Sequence, residues 1–478
     1  MTKQSINTLI IHGNVFTMEG SGVGAVEDGA VAIADTTIVA VGPTSELVAT
    51  FEAQETIDAS RFAVLPGLID CHVHTPEALL RGVAQDVPDY MERAMAPFSR
   101  ALTEDLWLAG TRLNVLESLK AGTTTHMDFT TPYEGWAAFY ERVGVRARLT
   151  PKINGLAPGA MSSAQGKSYE FDDAKGKRML EDALVFADQW HNAADGRITV
   201  MMGPQAPDMI SCELLSHIKD VADRRSMMIH MHVAQGDREI HQMEMRFGIR
   251  SIPFLQKLGY LDSQLFAVHL TEATADEVRL LVRSGVSMGV CSGCIGLLDG
   301  IVPPAALFRS EGGNVGLGTD SASSNNCMSL FNEMKLTALF NKIKARRPDV
   351  IPAWQALRMG TIEGANAIGL GDQIGSLEAG KKADLIFVDL DQLNLSPVVH
   401  APIRNIVPNL VYAATGHEVD SVMVAGRFVM LDRQILTADE VTIRADARAA
   451  ANEVSRRVAA DPETQDLTLL QAMRNGSL

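Results

Sequence analysis

Eight short apolar runs, separated by stretches with helical spacing, are the feature that most constrains the fold of this chain. Each run has the length of a buried strand, and the stretches between them, such as 106–120, 213–224 and 275–283, repeat apolar residues with a helical period. The eight runs are residues 64–71, 123–129, 145–153, 198–203, 227–234, 265–270, 286–291 and 314–319. Strands that alternate with helices in this way predict an α/β protein whose core is a (β/α)8 barrel of the TIM type.

Shorter β-type runs flank this middle part on both sides, at 6–11, 30–34 and 37–41 and again at 384–389 and 421–425. They predict one small β-sandwich domain that is built from both ends of the chain. The expected division is a β-sandwich over 1–62 and 376–440, the barrel over 63–375, and a helical tail over 441–478 that packs on the outside or on a partner. Residues 155–180 are rich in Gly, Ser and Lys, which predicts a loop that could cover the site.

The bulk composition indicates a soluble globular protein and excludes some partners. The 478 residues carry a formal net charge of −16, which argues against nucleic acid as a partner, because phosphates require a basic surface. No uninterrupted apolar run approaches the length of a membrane span, and the N-terminus lacks the pattern of a secretory signal. The five cysteines form no disulfide framework, and a single Cys-x-x-Cys is a weak zinc or redox signal, so we expect a cytoplasmic protein with reduced thiols.

Histidines stand where the predicted strands end. In a strand, residues two apart share a face, so His72 and His74 aim two imidazoles at one point. His230 and His232 end the fifth strand, His269 ends the sixth, and Asp320 ends the eighth. Reactive residues of a (β/α)8 barrel gather at the carboxyl ends of its strands. Imidazoles and a carboxylate brought together there predict a site for a divalent metal ion.

Seven segments carry a resemblance to a known family. They are Pro66-Gly-Leu-Ile-Asp-Cys-His-Val-His74, Leu79-Leu-Arg-Gly82, Ala121-Gly-Thr-Thr-Thr125, His230-Met-His-Val-Ala234, Ala267-Val-His-Leu-Thr271, Gly316-Leu-Gly-Thr-Asp-Ser-Ala-Ser-Ser-Asn325 and Gly375-Ser-Leu-Glu-Ala-Gly-Lys-Lys-Ala-Asp-Leu385. In these segments the chain resembles the amidohydrolase superfamily, in the branch of atrazine chlorohydrolase, guanine deaminase and the adenosine-derivative deaminases. The resemblance implies a barrel, a β-sandwich from both ends, one divalent metal ion and a homodimer or higher homo-oligomer.

The resemblance also implies roles for individual residues. It makes His72, His74, His232 and Asp320 the metal ligands, with His230 as a supporting residue behind them and a candidate for substrate contact. His269 is expected to orient or protonate near the metal-activated water, and the free oxygen of Asp320 to accept the water proton. The ligand set suits Zn2+, and Fe2+, Co2+ or Mn2+ are alternatives. A second metal is not expected, because the fourth strand ends in Met201-Met-Gly-Pro-Gln205 without the lysine that two-metal relatives carboxylate.

Two departures from the deaminase pattern bear on the reaction. Three residues after His232, where deaminases of this branch carry a proton-transferring Glu, stands Gln235, which cannot carry a proton. We take Gln235 as a catalytic-site candidate, with Glu239 and His241 as substitutes for the missing acid. The seventh strand has Gly289-Val-Cys291 in place of His-Asn-Pro. Both departures favour hydrolysis of an amide, urea or carbamate, as in molinate and phenylurea hydrolases.

Three functions are therefore open. The leading hypothesis is a mononuclear metal-dependent hydrolase that attacks a non-peptide carbon–nitrogen bond of a small molecule with metal-bound hydroxide. The alternative is an aminohydrolase that deaminates a purine, pterin or triazine ring, and a third is a non-catalytic metal-binding scaffold. Further substrate-binding candidates are His126, which either lines the pocket or packs beneath it, and Ser321 and Ser324, which either contact substrate or form a turn. Lys152 is either structural or substrate-facing.

Overall fold

The fold is described from a computed structural model of the chain, for residues 3–83, 86, 95–163, 166–464 and 467–477. The strands are β1 (Gln4–Phe16), β2 (Ala25–Ala34), β3 (Thr37–Pro43), β4 (Phe51–Asp58), β5 (Phe62–Pro66), β6 (Leu68–Val73), β7 (Thr123–Thr130), β8 (Arg146–Ile153), β9 (Ile198–Val200), β10 (Gly203–Pro204), β11 (Ile229–Val233), β12 (Leu265–His269), β13 (Ser287–Val290), β14 (Val315–Leu317), β15 (Leu385–Asp389), β16 (Val419–Val424), β17 (Arg427–Leu431) and β18 (Gln434–Ile435).

The helices are α1 (Thr44–Thr50), α2 (Ala96–Ala101), α3 (Glu104–Lys120), α4 (Trp136–Val143), α5 (Ala160–Ser163), α6 (Asp173–Trp190), α7 (Ala193–Gly196), α8 (Cys212–Arg225), α9 (Gly236–Phe247), α10 (Ser251–Lys257), α11 (Ala275–Arg283), α12 (Ser292–Leu298), α13 (Ala305–Ser310), α14 (Leu330–Ala345), α15 (Ala353–Met359), α16 (Ile362–Ala367), α17 (Ile406–Tyr412), α18 (Glu440–Ala460) and α19 (Thr468–Arg474). Short 3-10 helices span Thr75–Leu80, Pro207–Met209 and Pro462–Thr464. Among the described helices, none combines the length and the apolar composition needed to cross a lipid bilayer.

The barrel consists of two parallel sheets. One contains β6, β7, β8, β9 and β10, and the other runs in the order β11, β12, β13, β14. Isolated parallel bridges join the two sheets at both junctions, one between Val73 and Asp320 and one between Met202 and Ile229. The predicted (β/α)8 barrel is confirmed, and each of the eight predicted runs overlaps a barrel strand.

The first predicted run, residues 64–71, is divided between two sheets. Its first part lies in β5, which pairs with β1 and β15 of the other sheet, and its second part lies in β6. The division falls at Gly67, where a Cβ atom would lie 2.1 Å from Thr124 Oγ1. The close approach of β7 therefore requires glycine here. By its hydrogen bonds the barrel starts at β6, a few residues after the predicted boundary.

The two ends of the chain together form one nine-stranded sheet, in the order β18-β17-β16-β15-β5-β1-β2-β3, with β4 beside β1. The sequence predicted an antiparallel sheet, but the sheet is mixed, because β1 pairs in parallel with β4 and β5. Side chains from both ends pack in one core, including Ile10, Val31 and Leu385. The joint construction from both ends is confirmed, whereas the other predicted domain limits stay predictions.

The sequence predicted a loop over residues 155–180 and a helical tail after residue 440, and the structure differs from the first prediction only. The insertion 155–180, predicted as a loop, contains the start of α6, because the Asp172 carboxylate accepts the Lys175 N–H at 2.8 Å and caps that helix. The predicted tail helix is α18, whose buried face, including Val454 and Val458, packs on the outside of the barrel beside α2 and α3.

Candidate active site

The first strand of the barrel supplies two imidazoles, and the Nδ1 atom of each is within hydrogen-bond distance of another residue. His74 Nδ1 lies 2.6 Å from the carbonyl oxygen of Phe129, and His72 Nδ1 lies 2.8 Å from His230 Nε2. These contacts leave the Nε2 atoms of both ligand candidates directed at Asp320 Oδ1, at 3.7 Å from His72 and 3.6 Å from His74. Such hydrogen bonds fix the tautomer and the orientation of a metal-binding histidine.

The fifth and sixth barrel strands add two more imidazoles, those of His232 and His269, beside His72 and Asp320. His232 Nδ1 lies 2.8 Å from the carbonyl oxygen of Gln205, and the His232 ring stacks on that of His269 with centroids 5.4 Å apart. His269 Nε2 lies 3.7 Å from Asp320 Oδ2. His269 and Asp320 have positive φ values of 75° and 59°, a conformation that side chains other than glycine seldom adopt and that concentrates at functional sites.

Glycines allow the eighth strand to bring Asp320 against the first. A Cβ atom on Gly318 would lie 2.8 Å from His72 Cβ, so only glycine permits this approach. The Asp320 N–H donates to the His72 carbonyl at 2.8 Å. Beneath it, the Asp70 carboxylate accepts the backbone N–H of Thr319 at 3.0 Å and its hydroxyl at 2.6 Å. The two strands that carry His72 and Asp320 are thus tied together next to the ligand candidates.

The cluster fits a divalent metal ion. Among the described residues, ligand atoms of His72, His232 and His269 lie within 4.8 Å of one another, and so do those of His72, His74 and Asp320. His72 Nε2 and both ring nitrogens of His269 are buried without a hydrogen-bond partner in the described part of the chain. Burial holds the pKa of His72 and His232 well below the usual value and lowers that of His269 to about 4. Neutral imidazoles with unpaired nitrogens are what a metal ion requires.

A cavity of about 280 Å3 opens above this cluster. It brings together seven residues that the sequence singled out for the site, namely His74, His232, Gln235, His269, Asp320, Ser321 and Ser324. The sequence offered Glu77 only as a weaker candidate, because it follows the first strand, and left Lys152 either structural or substrate-facing; both line the cavity. The sequence signal for both residues was their position, because Glu77 follows His74 by three residues and Lys152 lies at the end of a barrel strand.

Glu77 and the serines after Asp320 form a hydrogen-bonded rim. The Ser323 hydroxyl donates to Glu77 Oε2 at 2.8 Å and lies 2.6 Å from the Ser321 hydroxyl, which lies 2.9 Å from that of Ser324. The backbone N–H of Ser321 donates to Asp320 Oδ1 at 2.9 Å. These serines thus both shape the turn after Asp320 and line the cavity.

Lys152, half-buried at the end of β8, adds an ammonium group to the same cavity. Burial lowers the pKa of Lys152, while the Glu77 carboxylate acts in the opposite direction. Lys152 also borders a second cavity of about 520 Å3, between α4 and α6, that contains none of the metal-ligand candidates. Acidic and basic side chains therefore both line the cavity beside the histidine cluster.

Two of the predicted substrate-binding residues lie outside the cavity. His126 is fully buried on the outer face of β7, where its Nε2 lies 2.7 Å from the Ser118 hydroxyl of α3 and burial lowers its pKa to about 3. Its neighbours Met127 and Phe129 are the residues of β7 that face inward. His230 is also fully buried, one layer below His232, between His72 and the Thr150 hydroxyl at 3.1 Å. It holds the ring of His72 and is not among the residues that line the cavity.

Neither predicted substitute for the missing glutamate reaches the cavity. The Glu239 carboxylate accepts the backbone N–H groups of Ala234 at 2.7 Å and of Gln235 at 2.9 Å. Burial, followed by the nearby Asp208, raises the pKa of Glu239 to about 7. His241 is exposed on α9. Glu239 therefore shapes the loop that presents Gln235, and Glu77 is the carboxylate besides Asp320 among the described cavity residues.

The position of His230 gives a testable difference between two buried histidines. Replacing His230 by Gln is expected to weaken metal affinity by about 10- to 100-fold, because the contact that orients His72 is disturbed. His126→Gln is the matched control, since it alters an equally buried imidazole that touches no ligand. Metal titration with a chelator of known affinity measures both variants. Equal losses of affinity in the two would contradict the supporting role of His230.

A (β/α)8 barrel with an imidazole and carboxylate cluster at the carboxyl ends of its strands defines a class, the metal-dependent hydrolases. The sequence profile of the amidohydrolase family matches residues 63–429, and that of an imidazolonepropionase-like composite domain of bacteria matches residues 29–51. The chain belongs to the amidohydrolase family. It is an enzyme that hydrolyses a carbon–nitrogen bond of a small molecule.

Relatives and solved structures agree with this assignment. The chain is 35% identical over 454 residues to 5-methylthioadenosine/S-adenosylhomocysteine deaminase of Pelotomaculum thermopropionicum, covering 94% of this chain and 99% of the relative. It is 34% identical to 5'-deoxyadenosine deaminase of Methanosarcina barkeri, covering 94% and 99%. An adenosine deaminase from Xanthomonas campestris with bound zinc superposes with a TM-score of 0.86 at 30% identity, covering 95% of this chain and 100% of the other. Atrazine chlorohydrolase from Arthrobacter aurescens, at 22% identity and a TM-score of 0.81 over 93% and 100%, shares the fold.

Proposed function

We propose that this protein is a mononuclear aminohydrolase that removes an amino group from a small nitrogen heterocycle and releases ammonia. The observation that carries the proposal is that ligand atoms of His72, His74 and Asp320, and of His72, His232 and His269, cluster beside a cavity of about 280 Å3. Deaminases of adenosine derivatives that align over nearly the whole chain favour ring deamination among the three open functions.

The donor set suggests how the centre works. His72, His74, His232 and Asp320 would hold one divalent ion, for which we propose Zn2+. When bound, the ion supplies a Lewis acid that lowers the pKa of water and polarises the carbon that is attacked. Asp320 keeps one carboxylate oxygen, Oδ2, on the side of His269, where it can accept the proton of the attacking water. His269 can donate a hydrogen bond to the charge that develops at the attacked carbon.

The walls of the cavity suit a flat ring with hydrogen-bond donors and acceptors. Glu77 can accept ring or amino N–H groups, and Lys152 can donate to a ring nitrogen or an oxygen. Met95, Met161 and Met209 supply adaptable apolar surface against a ring face. Gln235 can hold the substrate through its amide, and it is the observation that keeps the amide, urea or carbamate hydrolase as a second candidate.

A product screen separates the candidates. The metal-loaded enzyme is incubated with adenosine derivatives, other purines, pterins, triazines, ureas and carbamates, and ammonia and amines are quantified separately. The proposal expects ammonia from at least one aminated ring. Release of amines from ureas or carbamates alone would replace it by the second candidate, and the absence of ammonia from every aminated ring, with full metal content, would contradict it. The homodimer and the cytoplasmic location indicated by the sequence stay predictions.

Replacing Gln235 by Ala is expected to raise KM about tenfold, the effect of losing one hydrogen bond to substrate, while kcat changes only a few-fold. The reason is that an amide can position a substrate but cannot transfer protons. Gln235→Glu is the companion variant, which is expected to increase ring deamination. Steady-state kinetics on the substrate found by the screen measures both. A collapse of kcat at constant KM in Gln235→Ala would contradict a binding role.

A further inference from the structure

A second polar cavity, of about 360 Å3, lies far from the metal cluster, between the nine-stranded sheet and the barrel. The sheet contributes Thr36, Lys382 and Arg427, and the barrel contributes α4 and the segments that lead into β8 and β9. These segments lie at the amino ends of the barrel strands, whereas the metal ligands lie at the carboxyl ends. The cavity therefore belongs to neither the catalytic centre nor its access route.

The lining of this cavity is strongly basic. Arg142, Arg146, Arg197, Lys382 and Arg427 line it, against two acidic residues, Glu141 and Asp195. The whole chain carries a net charge of −16, so this concentration of cations runs against the composition of the protein. Cations held close together repel one another and are stabilised by an anion among them.

Most of these cations lack an acidic partner. Arg146 is paired with the buried Asp384, at 2.9 and 3.1 Å. Among the residues that the structure describes, the other four form no ion pair within 4.0 Å, and the two acidic residues of the lining leave an excess of positive charge. Arg197 donates to the carbonyl oxygen of Val145 at 3.3 Å, and Lys382 donates to the Thr36 hydroxyl at 3.2 Å. These are neutral acceptors, so the positive charge of the cavity persists.

Arg197 is half-buried in this cavity. Burial lowers its pKa, and the neighbouring Arg146 lowers it further, while Asp195, Asp384 and Glu141 act in the opposite direction. Arg142 and Arg427 stand exposed at the mouth, and the Arg142 guanidinium packs 5.3 Å from the centre of the Phe139 ring. Two guanidinium groups at the mouth and two cations further in make a geometry that can surround a compact anion.

We propose that this cavity between the sheet and the barrel binds a phosphate group. Guanidinium groups bind phosphate through paired N–H donors, and ammonium groups add a point charge. The cavity volume accommodates a free phosphate ion or the phosphate end of a small metabolite. Because residues of both the sheet and the barrel surround it, the bound anion would also link the two parts of the fold.

The test uses the metal-loaded full chain and isothermal titration at constant ionic strength. Inorganic phosphate is one ligand, and ribose 5-phosphate, with ribose as its uncharged counterpart, is the other. We expect phosphate binding that the double variant Arg142→Gln/Arg427→Gln weakens at least about tenfold, since each lost charge-assisted hydrogen bond is worth about that factor. Both side chains are exposed, so folding should tolerate their replacement.

The matched control is Lys177→Gln/Arg178→Gln, which removes two exposed charges from α6, away from the cavity. Equal weakening in both double variants would mean an effect of net charge, and unchanged binding in Arg142→Gln/Arg427→Gln would mean that phosphate binds elsewhere, for example at the metal. Either result overturns the proposal. Tighter binding of ribose 5-phosphate than of phosphate would identify a phosphorylated metabolite as the natural source of the group, and the reverse order would identify the free ion.

Discussion

Replacing Asp320 by Asn is expected to lower kcat/KM by at least about 10³-fold, because several kcal/mol of transition-state stabilisation depend on the bound metal. The substitution keeps the shape of the side chain and suits the positive φ of this position, but it removes the anionic ligand next to His72, His74 and His269. Metal content after dialysis should fall together with activity. Elemental analysis and steady-state kinetics on the same preparation measure both.

The control for this substitution is Asp237→Asn, which makes the same chemical change at an exposed position of α9. It should retain metal and activity. Full metal content with full activity in Asp320→Asn would contradict the assignment of Asp320 as a ligand. Full metal content with lost activity would instead assign Asp320 only the acceptance of a proton.

Replacing His269 by Asn is expected to lower kcat by about 10²- to 10⁴-fold, the range for loss of a general acid–base or electrostatic group, while the metal stays bound. Rate and metal content must be measured separately, because the ligand atoms of His269 lie within 4.8 Å of those of His72 and His232. In our proposal its Nε2 faces Asp320 Oδ2 and the reacting centre and is not a ligand. Kinetics and metal analysis are carried out on one preparation.

Two outcomes of the His269→Asn experiment would change the proposal. Loss of metal in parallel with loss of activity would make His269 a ligand and would alter the coordination that we infer. An unchanged rate would remove it from catalysis altogether. His126→Asn is the matched control, because it changes a buried histidine that hydrogen-bonds to Ser118 behind the barrel and lines no part of the cavity.

The barrel and most of the cluster could be predicted from the sequence, because both follow from local rules. Alternating strands and helices of regular length leave few architectures, and a residue at the end of a barrel strand must lie at the rim of the barrel. His72, His74, His232, His269 and Asp320 followed from that rule together with the family resemblance. The same rule failed for His126, because it does not state on which face of its strand a residue lies, and Met127 and Phe129 take the inner face.

The sequence by itself determined the order of strands and helices and the set of imidazoles at the strand ends, since these depend on neighbours only a few residues apart. Only the tertiary structure showed that His230 lies against His72, across 158 residues of chain, and does not line the cavity. It also decided that Glu77 and Lys152 share the cavity beside the histidine cluster and that four cations without an ion pair among the described residues meet between the sheet and the barrel. Such groups meet through packing between distant segments, and that packing is set by the whole fold and not by local sequence.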